Sequence, residues 1–534
     1  MKNKILFYLI FLWAIYFVVS MVNFRFKITP ASCDGYWYIK VAENIAKGKG
    51  LVEDVVMVHF PRLKKLKEFP HPIGSYWNPL NSILLAGFYK VFGISLNTTD
   101  FAVLVIDFLI VTLMFIFGIK LTFSVTLSFL ISLIYIVHPY ALSLRGLAGL
   151  PETYTTLFML PAYYFFYLAV TKDYKYIIPS SFFGGLSYLS RNESGLYIVF
   201  LILWVILFMK DKDKSYRLKF FILGSTIFLL VVLPWEIRNY LVFGKYTNQM
   251  KRNLLLCNEF FDYLCFDKQW TIKEWLSGGI INVLIRKLAS LHYKLDLFVE
   301  TVSWPITVFF IFGLIHNFNM VSKISLVYLV ISFLIVGILF SFTQKGGWHA
   351  PANLLPFILI ISGLGIKSFS ELISKKDKNK EKICMFLTFS FFILFFVGKQ
   401  IKVYKDILAE NRKDLMKIVC EDIKEYFDSK NVYSPIIMAN EAIVINYYTN
   451  YPVIQIPFDK SIESLKKAIV YYKPHYIILT GYYPISTKNL YLNKEYVDFL
   501  SCVFEKKYDF QIPTSDGAGG NYLKIYEVNY SKLN

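Results

Sequence analysis

Apolar runs of roughly twenty residues recur along the first 400 positions, broken by short polar stretches. That is the length a helix needs to cross a hydrocarbon core. The first run extends from Ile5 to about Val22. Ten more lie at 101–119, 122–142, 152–170, 176–190, 193–209, 218–237, 299–315, 322–342, 351–370 and 383–398. A soluble domain would show narrower apolar stripes at helical spacing and more charge. The pattern predicts a polytopic α-helical membrane protein with about eleven spans. One further stretch, Pro79–Gly93, has 15 residues and carries Asn81, Ser82 and Lys90.

Past about residue 400 the pattern changes. Asp414–Phe427 reads as an amphipathic helix, Pro435–Ala439 as a short strand and Ser461–Tyr472 as a second helix. His475–Leu479 reads as a buried strand and Leu523–Val528 as a last one. The chain therefore divides into a membrane domain, 1–400, whose first outer loop is 24–100, and a small α/β domain, 401–534. The latter is of a size that folds alone. No phosphate loop or nucleophile elbow is present in it.

Composition agrees. Of 534 residues, 56% are hydrophobic and 18% charged, and the mean hydropathy is +0.47. The net charge of +19 does not point to nucleic acid. The cations collect in short loops, as the positive-inside rule requires, and no nucleic-acid motif is visible. Lys210–Lys214 with Arg217 and Lys219, and Lys375–Lys382, are the strongest clusters; Lys172 with Lys175, and Lys120, are weaker. With these loops cytoplasmic, counting spans from residue 210 back and from Lys2 and Lys4 forward agrees only if 79–93 does not cross. That segment is expected along the outer interface. The N-terminus is expected in the cytoplasm, the C-terminal domain outside, and the first run retained as an anchor, since no small-residue cleavage site closes it. The localisation implied is a multi-pass cell membrane protein. Six cysteines, at 33, 257, 265, 384, 420 and 502, form no Cys-x-x-Cys pair. Cys257 and Cys265 share a loop, as a disulfide or as two thiols.

In this topology the unusual polar residues at span ends face outward: Asp34, His59, His71, Arg145, Glu152, Arg191, Glu193, Arg238, Lys345 and His349. Outward Arg and Lys beside spans run against the positive-inside bias and call for an anion. A lipid phosphate at the interface suits them, since Arg offers forked donors. Structural readings stand beside this one. Arg145 with Glu152, Arg191 with Glu193, and Arg238 with Glu236 are candidate ion pairs, because charges at membrane depth usually pair. His138, next to Pro139, suits a helix end, and the lone His292 and His316 suit structural roles. No set has metal-ligand spacing, although Glu53 and Asp54 could join Asp34 around a divalent cation. Asp34 opens a polar aromatic loop, Asp34-Gly-Tyr-Trp-Tyr, followed by a helical pattern from Tyr38 to Lys47 closed by Gly48-Lys-Gly50. It is a candidate N-cap for that helix and a candidate catalytic base.

These residues carry a resemblance. Asp34–Gly50 resembles the first outer loop of GT-C glycosyltransferases, of the prokaryotic protein-mannosyltransferase and aminoarabinose-transferase branch. His71-Pro-Ile-Gly-Ser-Tyr-Trp-Asn-Pro79-Leu80 with Phe88–Gly93 resembles the end of that loop. Leu189-Ser-Arg191-Asn-Glu193 resembles the family's leucine-threonine-arginine segment, and Leu233-Pro-Trp235-Glu-Ile-Arg238-Asn239 is the most specific match. Trp348-His349 stands where relatives often carry an Arg-Tyr pair, and Gly35 where some carry a second acidic residue. The resemblance implies transfer of a sugar from a polyprenyl-phosphate carrier to an extracytoplasmic acceptor (protein, glycan or lipid), with Asp34 as general base.

The chemistry is consistent with one base. A lipid phosphate leaves readily if cations stabilise its charge, so the base need only take the acceptor's proton. A single displacement inverts the sugar carbon. Arg191, Arg238, Lys345 and His349 are the expected phosphate contacts. His59, His71, Arg145 and Glu152 are expected to position substrate. No cofactor is required, and a divalent metal is the alternative to its absence. The rival readings are an oligosaccharide transferase using a lipid diphosphate, a lipid or sugar transporter, and a membrane scaffold. A transporter would show internal repeats and midplane polar residues, and neither is seen.

Overall fold

The structure is a computed structural model. It describes residues 2–26, 33–56, 68–74, 76–146, 149–244, 265–266, 271–276, 278–339, 349–375, 377–409, 415–457, 462–480, 505–512 and 521–532. The chain groups into two compact units. The first comprises Met1–Gly35, Trp77–Leu241 and Ile280–Asn411; the second comprises Tyr36–Tyr76, Val242–Gly279 and Arg412–Asn534.

The first unit is helical throughout its described residues. Among the described residues five helices are long and apolar enough to cross a membrane: Lys2–Arg25, Leu96–Thr122, Lys214–Phe243, Leu355–Ile373 and Lys378–Lys405. Two bent pairs bring the number to seven, Val125–Val137 with Pro139–Arg145 at 58° and Ile280–Val302 with Trp304–His316 at 98°. The bends have local causes. Pro139 follows the first break, and Ser303 at the second takes a φ of 75° just before Trp304-Pro305. Pro151–Thr171, Ile177–Ser190, Leu196–Phe208 and Met320–Ser332 occupy four more of the eleven apolar runs. Leu80–Phe92 is a helix of 13 residues, about 20 Å long at the α-helical rise and shorter than a hydrocarbon core.

The core of this unit runs through the helices that begin at Leu96, Val125, Pro151 and Leu355 and includes Phe115, Ile131, Phe166, Trp204 and Ile361. Helices Trp304–His316 and Leu355–Ile373 meet through glycines. A Cβ on Gly313 would lie 2.2 Å from the Ile361 carbonyl oxygen, and one on Gly365 would lie 2.2 Å from that of Phe309. Small residues at such crossings let backbones approach where no hydrophobic driving force separates helix from lipid.

The second unit is built on a six-stranded sheet. Two short strands between helices Cys33–Ala46 and Leu80–Phe92, β1 (Val52–Glu53) and β3 (His71–Pro72), pair with each other. Between them β2 (Val55–Val56) joins the larger sheet. That sheet continues with β4 (Ile437–Ala439), β5 (Val453–Gln455), β6 (Tyr476–Thr480), β7 (Glu505–Ile512) and β8 (Asn521–Glu527), in the order β2-β5-β4-β6-β8-β7. The first four neighbours are parallel and the last two pairs antiparallel. Helices Leu415–Ser429, Ala442–Thr449 and Ile462–Tyr472 accompany it. The strands β4, β5 and β6 are fully buried, as central parallel strands are. The sequence division at 400 left residues 36–76 with the membrane domain. In the structure they group with 412–534, because Val55 and Val56 pair in register with Val453 and Ile454.

Candidate active site

Helix Cys33–Ala46 starts one residue before Asp34. Asp34 therefore sits in the first helical turn, not at the cap, where a carboxylate is favoured by the amide dipoles. The helix buries Tyr36, Trp37, Tyr38, Ile39, Val41 and Ala42, while Asp34 is half-buried. Burial pushes the Asp34 carboxyl above the usual range. Arg191 opposes that shift, Glu152 adds to it, and His349 and a hydrogen bond with Trp77 oppose it again.

The groups that act on Asp34 are themselves joined. Arg191 Nη1 and His349 Nδ1 both lie 3.0 Å from Glu152 Oε1. Glu152 Oε2 is buried with no hydrogen-bond partner among the described residues. Glu152 opens helix Pro151–Thr171 just after Pro151, a favoured place for both residues. Arg191 sits in the extended break between helix Ile177–Ser190 and the turn Asn192–Gly195. Asn78 donates to the Tyr188 carbonyl and Asn81 to that of Ser190 at 3.1 Å. These amides satisfy carbonyls that a helix end leaves open, and so fix where the chain turns at Arg191.

Glu193 plays a different part from the pairing with Arg191 that its spacing suggested. Its carboxylate accepts from His349 N at 3.0 Å, Ala350 N at 3.2 Å and Ser332 Oγ at 2.7 Å. It caps the turn Ala350–Asn353 from outside and thereby holds His349. Lys294, absent from the sequence-based candidates, is buried in helix Ile280–Val302 and lies within electrostatic reach of Glu193. Its only sequence signal was a lysine inside an amphipathic stretch, which ordinarily marks a solvated face.

The other candidates are placed elsewhere. Arg145 was weighed as a partner of Glu152 and as a substrate-positioning group. Instead its Nε pairs with Asp107 in helix Leu96–Thr122. Its Nη1 donates to the Ile136 carbonyl at 2.7 Å, and its guanidinium lies over the rings of Tyr16 and Tyr135 at 5.1 and 5.8 Å. Tyr135 closes the group by donating to Asp107 Oδ1 at 3.0 Å. A charge this deep must find an opposite charge, and Asp107, a lone acid within an apolar run, was the overlooked partner. Arg238 stacks on Trp235 at 5.0 Å and donates to Asn239 Oδ1 at 3.0 Å, while Glu236 accepts from Tyr188 at 2.8 Å. His138 ends helix Val125–Val137, with Nε2 3.1 Å from the Val302 carbonyl oxygen.

His71 belongs to the second unit. Its Nδ1 lies 3.2 Å from the Pro72 carbonyl oxygen and 4.0 Å from Glu53 Oε1. Glu53 is engaged by Trp37 Nε1 at 2.5 Å and by Gly74 N at 2.9 Å. Among the described residues no three His, Cys, Asp or Glu side chains group as a metal site. His59, Lys345 and Cys257 lie outside the described residues.

Residues 71–237 match the sequence family described as dolichyl-phosphate-mannose-protein mannosyltransferase. The structure is similar to ArnT from Cupriavidus metallidurans bound to undecaprenyl phosphate, at 10% identity and a TM-score of 0.61, covering 98% of each chain. The chain has the GT-C glycosyltransferase fold. The same fold links it to the oligosaccharyltransferase AglB from Archaeoglobus fulgidus, solved with an inhibitory peptide and a dolichol-phosphate. That match has 9% identity and a TM-score of 0.50, over 98% of this chain and 74% of that one. It also links it to the arabinofuranosyltransferase AftD from Mycobacteria, at 11% identity and a TM-score of 0.52, over 97% and 41%. No protein of curated function matches the chain by sequence. The matched segment contains Glu152, Arg191 and Glu193, whereas Asp34 and His349 lie outside it.

Proposed function

We propose that the protein is an inverting glycosyltransferase that moves a sugar from a polyprenyl-phosphate carrier to an extracytoplasmic acceptor, with Asp34 as general base. The carrying observation is the asymmetry of two neighbouring carboxyl groups. Glu152 pairs with Arg191 and is contacted by His349, whereas burial raises the Asp34 carboxyl above its usual range. Pairs of acids pushed apart by their surroundings mark an acid–base assignment, and a base nearer the working pH accepts a proton more effectively.

In this reading the acceptor hydroxyl or amine gives its proton to Asp34 as it attacks the anomeric carbon. The bond from that carbon to the phosphate oxygen breaks on the opposite face, and the lipid phosphate leaves with the electron pair. Arg191 supplies positive charge beside the leaving oxygens, with His349 and Arg238 as further contacts, so no proton donor is needed there. Glu152 holds both side chains in place before the donor arrives. The polyprenyl phosphate bound in the ArnT structure and the dolichol-phosphate bound in the AglB structure support a lipid-linked donor.

The test is a transfer assay on purified protein in detergent. Short polyprenyl-phosphate sugars and lipid-diphosphate glycans are offered separately, with and without chelator. Release of polyprenyl phosphate from the monophosphate donor, unaffected by chelator, is the expected result. Turnover of the diphosphate donor alone, lost with chelator, would instead assign an oligosaccharide transferase.

A further inference from the structure

At the far end of the helical hairpin that starts from Arg191, a second site is formed by residues the transfer reaction leaves unused. Helices Leu196–Phe208 and Lys214–Phe243 are joined by a short turn. Between them lies an open cavity of about 300 Å³, lined by Ile202, Val205, Ile206, Leu218 and Phe221, with Lys214 and Arg217. The lining follows helical spacing on both sides: 202, 205 and 206 on one helix, and 214, 217, 218 and 221 on the other. The walls are therefore two facing stripes that do not close on each other. Its apolar walls remain partly open, with Ile202, Ile206 and Leu218 39%, 53% and 58% exposed.

The cations lie at one end only, in the first turn of helix Lys214–Phe243. The amide dipoles there add to the positive field. The turn and helix start carry Lys210, Lys212, Lys214, Arg217 and Lys219 against Asp211 and Asp213, a local excess of three positive charges. Asp211 lies 3.9 Å from Lys212. The ring of Tyr216 meets that of Tyr174 at 5.7 Å, which brings the segment holding Lys172 and Lys175 to the same end. A loop that only obeyed the positive-inside rule would need cations but no slot beneath them.

We infer that this slot is a binding site for an anionic phospholipid, with its phosphate on Lys214 and Arg217 and one acyl chain between the two helices. The apolar stripe matches a hydrocarbon chain, the paired cations match a phosphate, and no side-chain carboxylate lines the cavity. The site is separate from the Asp34 cluster, so its occupant is a bound membrane lipid, not the sugar donor.

The experiment is native mass spectrometry of the detergent-purified full chain with added phosphatidylglycerol or phosphatidylcholine. The wild type is compared with a Lys214→Gln/Arg217→Gln double variant and with Val205→Phe, which fills the slot and keeps the charges. Inorganic phosphate is added as a competitor. The expected result is preferential retention of phosphatidylglycerol, reduced roughly 25-fold in the double variant, at about fivefold per cation. It is also reduced in Val205→Phe, and phosphate at millimolar level does not displace it. Equal retention of the two lipids by wild type, or undiminished phosphatidylglycerol in the double variant, overturns the proposal. Displacement by inorganic phosphate reassigns the cations to a soluble anion and overturns it also. Thermal unfolding of each variant without added lipid shows whether the fold is intact, and sugar transfer by the double variant stays at the wild-type rate.

Discussion

The first unit holds two clusters of arginine and carboxylate, and they differ in how completely their charges are answered. Around Arg145, one acid, two tyrosine rings and a backbone carbonyl surround one cation, and only Nη2 lacks a hydrogen bond among the described residues. Around Asp34, the Arg191 guanidinium and the His349 ring converge on a different acid, Glu152. One Glu152 oxygen has no hydrogen-bond partner among the described residues, and Asp34 is left with a raised affinity for protons. The first arrangement is a finished structural pair. The second keeps unspent capacity for hydrogen bonds and charge, which is what a site that binds an anion and moves a proton requires. Cations in a membrane chain thus divide by what remains open around them, not by their distance from a span end.

The largest effect should come from breaking the finished pair. Arg145→Met leaves Asp107 uncompensated in the interior and should destabilise the first unit by about 3–5 kcal/mol. Arg145→Met with Asp107→Leu should recover most of that loss. Thermal unfolding in detergent measures both, and equal Tm values for the single and double variants would contradict the pairing.

A carboxyl in the second unit sharpens the contrast, since it is buried with no arginine beside it among the described residues. Glu441 follows β4, is 6% exposed, and burial raises its pKa from 4.5 to about 8. A raised folded value means stability is fully present below pH 4.5 and is lost as pH rises toward 8. The loss should be on the order of a few kcal/mol, and Glu441→Gln should flatten it. Denaturant titrations at pH 5 and pH 8.5 would show the difference.

The smallest effects concern the tuning of Asp34. Arg191→Gln removes the leading charge that lowers its pKa, so the acid limb of the pH–rate profile should move to higher pH. Glu152→Gln removes a charge that raises it, so the limb should move to lower pH. Shifts in the same direction would remove Asp34 as the titrating group.

Much of this was legible in the residue pattern. The strand at His475–Leu479 and the helix at Ser461–Tyr472 appear within one residue, at Tyr476–Thr480 and Ile462–Tyr472, because buried runs and amphipathic spacing are local signals. The strand at Val55–Val56 was not legible. Two residues carry no periodicity, and their pairing with Val453 and Ile454 is a contact across nearly 400 positions. Asp107 escaped notice for the same reason, since only the fold brings Arg145 to it. Glu152, Arg191 and His349 were all selected from sequence as outward polar groups at span ends. Their convergence on one oxygen required three helices to be packed first. Trp77 and Lys294 were missed because an aromatic in a loop and a lysine on an amphipathic helix have commoner structural uses.

The most direct measurement is sugar transfer by Asp34→Asn, in which the carboxylate is replaced by a neutral group of the same shape. Turnover from a polyprenyl-phosphate donor should fall roughly 100- to 10,000-fold, with Tm and donor affinity unchanged. Turnover at the wild-type rate in that variant would contradict the assignment of Asp34 as the base.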